Sequence, residues 1–227
     1  MRYLVGKKWF LTLVALVGLF AIAPAAKADP FLLGTVPLAP GGTVVPGIVA
    51  ASPGTLLASL IQPLSGGFTG TLTTTVFREA GGTLDFYYQI SISAGGGVFF
   101  LTTTNFTGSA TAVGFRPDGA SIPGGLFVNG TILPTLVGRN LAGSLVDFEF
   151  PPIPPGFTSA VLVISTDATT FTTGSITLGA PGAHFTGSGF APAPVPEPAT
   201  VLLLGTGLAA VAAKVRKRRE PSRDEEA

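Results

Sequence analysis

The chain has 227 residues, no cysteine and one histidine, and its 13 basic residues nearly balance its 12 acidic residues. The absence of thiols excludes disulfides, cysteine-based zinc sites, iron–sulfur clusters and thiol catalysis. The net charge of +1 averages over unlike segments, because residues 29–198 contain eight acids, three arginines and no lysine, a net charge of −5. A basic groove for nucleic acid is therefore not expected, and nucleic acid is excluded as a partner.

Residues 1–28 have the three parts of a secretory signal peptide. Basic residues at positions 2–8 precede an apolar run at 9–23, which is short for a membrane-spanning helix. Ala26 and Ala28 then frame a small-x-small cleavage site before Asp29. The sequence predicts a signal helix that signal peptidase removes after export through the general secretion machinery. An uncleaved N-terminal anchor is the alternative.

The body of the chain has the patterns of β-strands. Residues 68–78 are rich in β-branched side chains, and after an interruption at 80–82 the run 83–92 alternates apolar and polar residues. These two runs predict a hairpin whose second strand covers a core on one side. Further strands are predicted at 97–106, 111–116, 126–133, 144–150, 159–166 and 169–178, and residues 55–61 could form another.

Strands that recur about every 8 to 15 residues, with no helical period between them, predict an all-β domain. We expect an antiparallel β-sandwich of jelly-roll or Ig-like type over residues 29–181. Residues 151–156 are rich in proline, which donates no ladder hydrogen bond, so a rigid crossover between two sheets is expected there. Residues 182–194 are rich in Gly, Ser, Ala and Pro, a composition that predicts an extended linker.

Few residues of the body could carry chemistry. Asp147 and Glu149 lie at i and i+2 on a predicted strand, so they share a face, as a glycosidase dyad or a calcium ligand pair would. Two acids on the polar face of an amphipathic strand also serve solubility, which is the interpretation we favour. His184 lies in the predicted linker, without the rigid partners that a catalytic or metal-binding histidine needs. We therefore expect no enzyme activity, no metal site and no cofactor.

Threonine clusters at 73–75, 102–104 and 169–173 allow two interpretations. The one we favour is β-propensity, because threonine suits a pleated strand. In the other interpretation, threonines on one strand face present ordered hydroxyls and form an adhesive or O-glycosylated surface.

Residues 195–219 combine three signals in a fixed order. Val195, Pro196, Glu197 and Pro198 form an extended segment, because proline keeps it out of a helix. The apolar run 199–215 follows, about 25 Å long as a helix, which is near the lower limit for a membrane span. A basic stop-transfer cluster then consists of Lys214, Arg216, Lys217, Arg218 and Arg219. By the positive-inside rule, residues 220–227 form a cytoplasmic tail and the body lies outside.

These three parts, in this order and together with a signal peptide, resemble the PEP-CTERM sorting domain of Gram-negative bacteria that make exopolysaccharide. The resemblance covers only residues 195–219. It implies that an exosortase-type membrane protease recognises Pro196, Glu197 and Pro198 at the outer surface of the inner membrane and cleaves nearby. The body would then be released or transferred to the cell surface or the extracellular space.

The sequence thus predicts an exported, C-terminally sorted protein with a structural or adhesive role in an extracellular matrix or biofilm. The first alternative is a carbohydrate-binding module acting on exopolysaccharide, a candidate partner. Its discriminating feature would be an exposed aromatic platform, either Tyr87 or a tryptophan. The only tryptophan, Trp9, lies in the signal peptide, which counts against this alternative. The second alternative is a secreted hydrolase, which would need a pocket joining Asp147 or Glu149 to another acid.

Overall fold

The computed structural model describes residues 31–194. Its strands, in chain order, are β1 Val36–Pro37, β2 Thr43–Val44, β3 Gly47–Ile48, β4 Thr55–Leu64, β5 Phe68–Arg78, β6 Leu84–Gly95, β7 Val98–Thr103, β8 Thr111–Arg116, β9 Leu136–Arg139, β10 Val146–Ile153, β11 Val161–Thr166, β12 Phe171–Ala180 and β13 Ala183–Pro192. The one helical element within 31–194 is a short 3-10 helix, Gly119–Ser121, and no helix in this range is long and apolar enough to cross a membrane. The predicted signal peptide 1–28, the segment 195–219 and the tail 220–227 lie outside the described residues.

The strands form two sheets, and the all-β prediction is confirmed. Sheet I has seven strands, in the order β1, β8, β11, β6, β5, β4, with β3 also paired to β8. Sheet II has six strands, in the order β13, β12, β7, β10, β9, β2. The pair β3–β8 is parallel and the other strand pairs are antiparallel.

The inner faces of the two sheets share one apolar core. From sheet I it takes alternate residues of β6, and from sheet II it takes the inward side chains of β7, β10 and β12. Its fully buried members include Leu84, Phe86, Tyr88, Ile90, Leu101, Phe148, Ile176 and Leu178. Each large apolar side chain buried in this way contributes roughly 1.5–3 kcal/mol, so the core can stabilise a body of this size without disulfides.

Strand β6 is buried on both faces, which corrects the prediction of a strand with one solvent-facing side. Asp85, Tyr87 and Gln89, on its polar face, are at most 3% exposed. A second apolar cluster covers them, formed in part by the segments 31–54 and 117–135 that pack over the outside of sheet I. Alternation of apolar and polar residues shows that the two faces of the strand differ. It does not show whether segments distant in sequence pack over the polar face and bury it.

The strand predicted at 126–133 is absent. Phe127 is buried in the outer cluster, and Ile132 makes only an isolated bridge to Ser159. The side chain of Gln89 donates to the Val128 carbonyl at 2.7 Å and accepts from the Val128 N–H at 3.0 Å. A buried side chain therefore satisfies backbone groups that a neighbouring strand would otherwise have paired.

The proline-rich segment 151–156 leads from sheet II to sheet I, as the predicted crossover requires. Its first three residues nevertheless still belong to β10, where the register with β7 shifts between Glu149 and Ile153. Strand β11 of sheet I then begins at Val161. The prolines thus lie after the regular part of the ladder, where fewer backbone donors are needed.

The predicted linker 182–194 is wrong, because most of it is strand β13. This strand pairs with β12 over ten residues, from Ala183 opposite Ala180 to Pro192 opposite Phe171. A Cβ at Gly189 would lie 2.0 Å from Cδ1 of Ile176, so a larger residue would force the buried Ile176 side chain to move. The small residues of this segment reflect close packing against β12 rather than flexibility.

Candidate functional site

The outward face of sheet II carries a row of polar residues. Residues directly opposite each other on neighbouring strands point to the same side of a sheet. One set of such pairs, which we call the threonine row, consists of Thr186, Thr177, Thr102, Asp147, Gly138 and Thr43. Since neighbouring strands are ~4.8 Å apart, the row from Thr186 to Asp147 spans roughly 14 Å.

Hydrogen bonds order part of the threonine row. The Thr102 hydroxyl donates to Oδ1 of Asp147 at 2.5 Å, and the Thr177 and Thr186 hydroxyl oxygens lie 3.5 Å apart. Partial burial raises the pKa of Asp147, and the hydrogen bond from Thr102 opposes that shift. The Asp147 carboxylate is thus held against the sheet instead of extending freely into solvent.

A second row lies beside the first and consists of His184, Gly179, Phe100, Glu149 and Leu136. The Phe100 ring covers Gly179 so closely that a Cβ there would lie 1.9 Å from ring atom Cε1. Phe100 is half-buried and Glu149 is exposed. The two rows together form a flat face that combines hydroxyls, carboxylates and one aromatic ring.

The structure confirms that Asp147 and Glu149 share a face, opposite buried Val146, Phe148 and Phe150. It also places His184 on that face, in a strand rather than in the predicted linker. Three strand spacings, roughly 14 Å, separate His184 from Glu149, which is too far for a hydrogen bond between them. Within residues 31–194 there is no group of three or more His, Cys, Asp or Glu side chains that could hold a metal ion.

The three threonine clusters have different environments. Thr74 and Thr75 are fully buried in sheet I, so β-propensity accounts for the cluster 73–75. Thr102 lies on the outward face of sheet II, and Thr173 is also exposed. The pairing of Thr102 with Asp147 and Thr177 was not predicted, because the register between strands far apart in sequence has no local signal.

A group of polar side chains is buried on the outside of sheet I. Oδ1 of Asp85 accepts a hydrogen bond from the Ser165 hydroxyl at 2.6 Å, and the Ser165 oxygen accepts one from the Leu32 N–H at 3.0 Å. Oδ2 of Asp85 is buried without a partner unless it carries a proton, which it can donate to the neighbouring Glu79 carboxylate. Burial and the proximity of Glu79 raise the pKa of Asp85 to about 8, so this group is mostly neutral at pH 7.

Arg116 fixes the segments that cover this group. Its guanidinium donates to both carboxylate oxygens of Asp118, to the Ser121 hydroxyl at 2.9 Å and to the Ala51 carbonyl at 2.7 Å. The hydrogen bonds from Arg116 and Ser121 lower the pKa of Asp118 to about 2. Nearby Tyr87, which would have to be exposed to serve as a sugar-binding platform, is instead fully buried. Its hydroxyl has no hydrogen bond of acceptable geometry, and burial raises the pKa of this phenol. These contacts join loops to sheet I and serve the fold.

A shallow depression of about 430 Å³ lies beside Phe31 and is lined mainly by residues 37–40, 108–111 and 142–143, with Arg139. The Arg139 guanidinium donates five hydrogen bonds, at 2.7–3.2 Å, to backbone carbonyls. The acceptors are Leu38, Phe106, Ser109 and Gly143. These hydrogen bonds connect three chain segments. Because the donors are already used by backbone carbonyls, Arg139 is not available to bind an anion.

The described residues form an all-β body whose last strand ends at Pro192, near the C-terminal end of the described range. The last backbone hydrogen bond of the body runs from the Ala193 N–H to the Thr170 carbonyl at 3.0 Å. A family model described as the PEP-CTERM protein-sorting motif matches residues 194–219. The match identifies residues 194–219 as a PEP-CTERM sorting motif. PEP-CTERM proteins are processed by exosortase, a membrane protein.

The match covers the predicted motif Val195, Pro196, Glu197 and Pro198 and the basic cluster that ends at Arg219. It supports export and C-terminal sorting, and it says nothing about the activity of the body. No curated protein matches the chain, and no solved structure matches it.

Proposed function

We propose that this protein is a structural component of the cell surface or extracellular matrix, delivered there by C-terminal sorting. The observation that carries the proposal is the hydrogen bond from Ala193 to Thr170, directly before the matched segment that begins at residue 194. The ordered body therefore continues in sequence almost to the first residue of the matched segment, as expected if the body is what the sorting signal delivers. The proposed partners are signal peptidase, the general secretion machinery, an exosortase-type protease and the inner membrane.

The spacing between the body and the apolar run supports recognition close to the membrane. Five residues separate Ala193 from Ala199, so the two positions lie at most ~22 Å apart when this stretch is extended. Pro196 and Pro198 lack the N–H that a central strand or a helix interior requires, which supports recognition of the motif as an extended segment. In this proposal a membrane protease reaches the motif without unfolding the body.

Replacement of Pro196, Glu197 and Pro198 by Ala tests sorting. We expect the wild-type body to leave the inner membrane without the residues after the motif, and the variant to keep residues 201–227 and remain in the membrane fraction. Cell fractionation and intact mass spectrometry measure both properties. The matched control replaces Glu220, Pro221 and Ser222 by Ala, which alters a Glu-Pro pair outside the motif and leaves processing intact. Retention of residues 201–227 by the wild-type protein would show a plain single-span anchor instead.

A second candidate function, contact with exopolysaccharide, is favoured by the threonine row. Sugars are bound by hydroxyl and carboxylate hydrogen bonds combined with contact to an aromatic ring face, and the outward face of sheet II offers all three kinds of group. The strand spacing of ~4.8 Å is also close to the length of one pyranose unit. Phe100 and Asp147 are each held in place by neighbouring strands, which limits the entropy lost on binding.

Substitution of Thr102, Thr177 and Thr186 by Val removes the hydroxyls and keeps the side-chain shape. We expect at least about tenfold weaker binding to exopolysaccharide purified from the producing cells, because each lost hydrogen bond contributes ~1 kcal/mol. Co-sedimentation with the polysaccharide measures this affinity. Val at the exposed positions Thr55, Thr107 and Thr131 is the control. Equal binding by the two triple variants, or no binding by the wild-type protein, would rule out this role.

A further inference from the structure

The two sheets end in long edge strands that differ in their surroundings. Sheet I ends at β4 and sheet II ends at β13, each ten residues long. An edge strand presents a row of backbone N–H and C=O groups on its outer side, which can pair with a strand from another chain. Another strand can pair with this edge only if these backbone groups do not already form hydrogen bonds within the protein.

The outer edge of β13 is capped by side chains from sheet I. The Gln62 amide donates to the Ser188 carbonyl and accepts from the Ser188 N–H at 3.2 Å. The Tyr88 hydroxyl donates to the Phe190 carbonyl at 2.6 Å. A further strand could add here only by displacing these contacts, so the edge of sheet II is closed in its central part.

The outer edge of β4 has no such caps. Among residues 31–194, the backbone of β4 pairs with β5 and makes no other hydrogen bond. Pro63 shows which groups face outward, because a proline in a strand occupies a position whose missing N–H would point away from the neighbouring strand. Alternation along the strand then places the N–H groups of Ser59 and Ile61 on the free edge.

The side chains of β4 do not protect this edge. Proteins usually blunt an exposed edge with charged side chains, prolines or bulges. None of the ten residues of β4 is charged, and Leu57 and Ile61 are 37% and 54% exposed. Its register shift lies at one end, between Leu56 and Ala58, and Pro63 lies near the other. The stretch from Ala58 to Gln62 remains regular and open.

We propose that β4 is an interaction surface on which a second copy of this protein adds its own β4 in antiparallel orientation. A two-fold axis normal to sheet I would join two seven-stranded sheets into one continuous sheet and close the assembly as a dimer. A second copy fits this edge because antiparallel pairing about a two-fold axis is self-complementary: the outward N–H and C=O groups of one β4 meet those of the other. Residues 31–194 carry six acids against three arginines, so two copies can approach closely only where their surfaces are uncharged, as β4 is.

Single cysteines test this pairing, because the chain has none of its own. Cysteine is placed singly at Leu57, Ser59 or Ile61 in the exported protein, purified from the cells that make it. We expect disulfide-linked dimers on non-reducing gels for at least one of these positions, since an antiparallel pair brings residues near the two-fold axis next to their own copies. The controls are Thr186→Cys on the capped edge and Leu141→Cys, which replaces a side chain that is 90% exposed.

Sedimentation of the same protein gives an independent measurement. Wild-type protein is expected to dimerise with rising concentration, and Ser59→Lys and Ile61→Lys are each expected to weaken dimerisation at least tenfold. Val128→Lys, at an apolar side chain of similar exposure (52%), is expected to leave it unchanged. Circular dichroism verifies that each variant is folded. A monomeric wild type, a dimer that survives both β4 substitutions, or equal cross-linking at Thr186 and Leu141 would overturn the proposal, and none of these results depends on how the C-terminal segment is processed.

Discussion

In its neutral form, Asp85 can act as a hydrogen-bond donor in the folded protein. Its side chain is fully buried, and only the neutral carboxyl can satisfy both of its oxygens, with Ser165 donating to one and the proton on the other pointing to Glu79. Arg116 lies on a nearby strand, but its donors are engaged by Asp118, Ser121 and Ala51. Among residues 31–194, no cation contributes to the pKa shift of Asp85.

Asp85→Asn should reduce the pH dependence of stability. The folded protein raises the pKa of Asp85 from its usual 3.8 to about 8, so between these values the folded state binds more protons than the unfolded state. Stability is therefore fully present below about pH 4 and is lost as pH rises toward 8, by up to ~1.4 kcal/mol per pH unit. Asparagine can accept from Ser165 and donate to Glu79 at every pH, so the variant should be more stable than the wild type at pH 8.

Urea unfolding at pH 5, 7 and 9 measures this difference. Asp118→Asn is the control, which should leave the pH dependence between pH 5 and 9 unchanged. Because Arg116 and Ser121 lower the pKa of Asp118 to about 2, the contribution of this carboxylate is present above its unfolded pKa and is lost only in strong acid. An Asp85→Asn protein whose stability falls between pH 5 and 9 as steeply as that of the wild type would contradict the assignment.

The burial of Asp85 could not be predicted from its neighbours in sequence. The alternation in residues 83–92 correctly separates an apolar from a polar face, but the cover comes from Leu32, Ile122 and Phe127, which are about 40 to 50 residues away. The shared face of Asp147 and Glu149 was predictable because it depends only on the two-residue period of a strand. The threonine row was not, because it depends on the pairing of β13, β12, β7 and β10.

At the scale of single elements, β13 shows how composition can mislead. A high content of glycine, alanine and proline predicts a flexible or extended linker. Whether the segment forms a strand depends instead on which positions these residues occupy. Gly189 and Ala191 lie on the inward face of β13, where both are buried and a larger residue would collide with Ile176 or the core. Thr186 and Ser188 lie on the outward face and are exposed.

Ala191→Glu should destabilise the body strongly if this residue belongs to the fold. A buried, unpaired carboxylate costs several kcal/mol, so we expect a loss of at least ~3 kcal/mol in unfolding free energy or failure to fold. Thr186→Glu, on the exposed face of the same strand, should change stability by no more than ~0.5 kcal/mol. Thermal unfolding and protease resistance of the full chain distinguish the two. Similar behaviour of both variants would restore the linker interpretation.

Local sequence determined strand positions best where β-branched residues are dense. The strands predicted at 68–78 and 111–116 agree with β5 and β8 at both ends. The segment 126–133 has a similar composition, but Gln89 satisfies its backbone and Phe127 is drawn into the outer cluster, so it does not pair as a strand. Tertiary contacts thus override β-propensity where a side chain can replace a neighbouring strand.

At the scale of the whole molecule, the chain passes repeatedly between its two sheets. From β6 in sheet I it enters sheet II at β7, returns at β8, crosses again for β9 and β10, and returns once more at β11 before the final hairpin of β12 and β13. Two packed sheets were predictable from many short strands and turns. The order of crossings was not, because it depends on pairings between residues far apart, such as Leu162 with Tyr88. The jelly-roll or Ig-like assignment remains a prediction.

The ten-residue pairing of β13 with β12 also has a mechanical consequence. A force applied at the C-terminal end of the body enters the fold through Ala193 and β13. A pull along this strand loads its hydrogen bonds to β12 in shear, so many bonds share the force at once, whereas a pull across the strand would open them one after another. The pairing at this end of the body therefore resists unfolding most strongly when the pull is along β13.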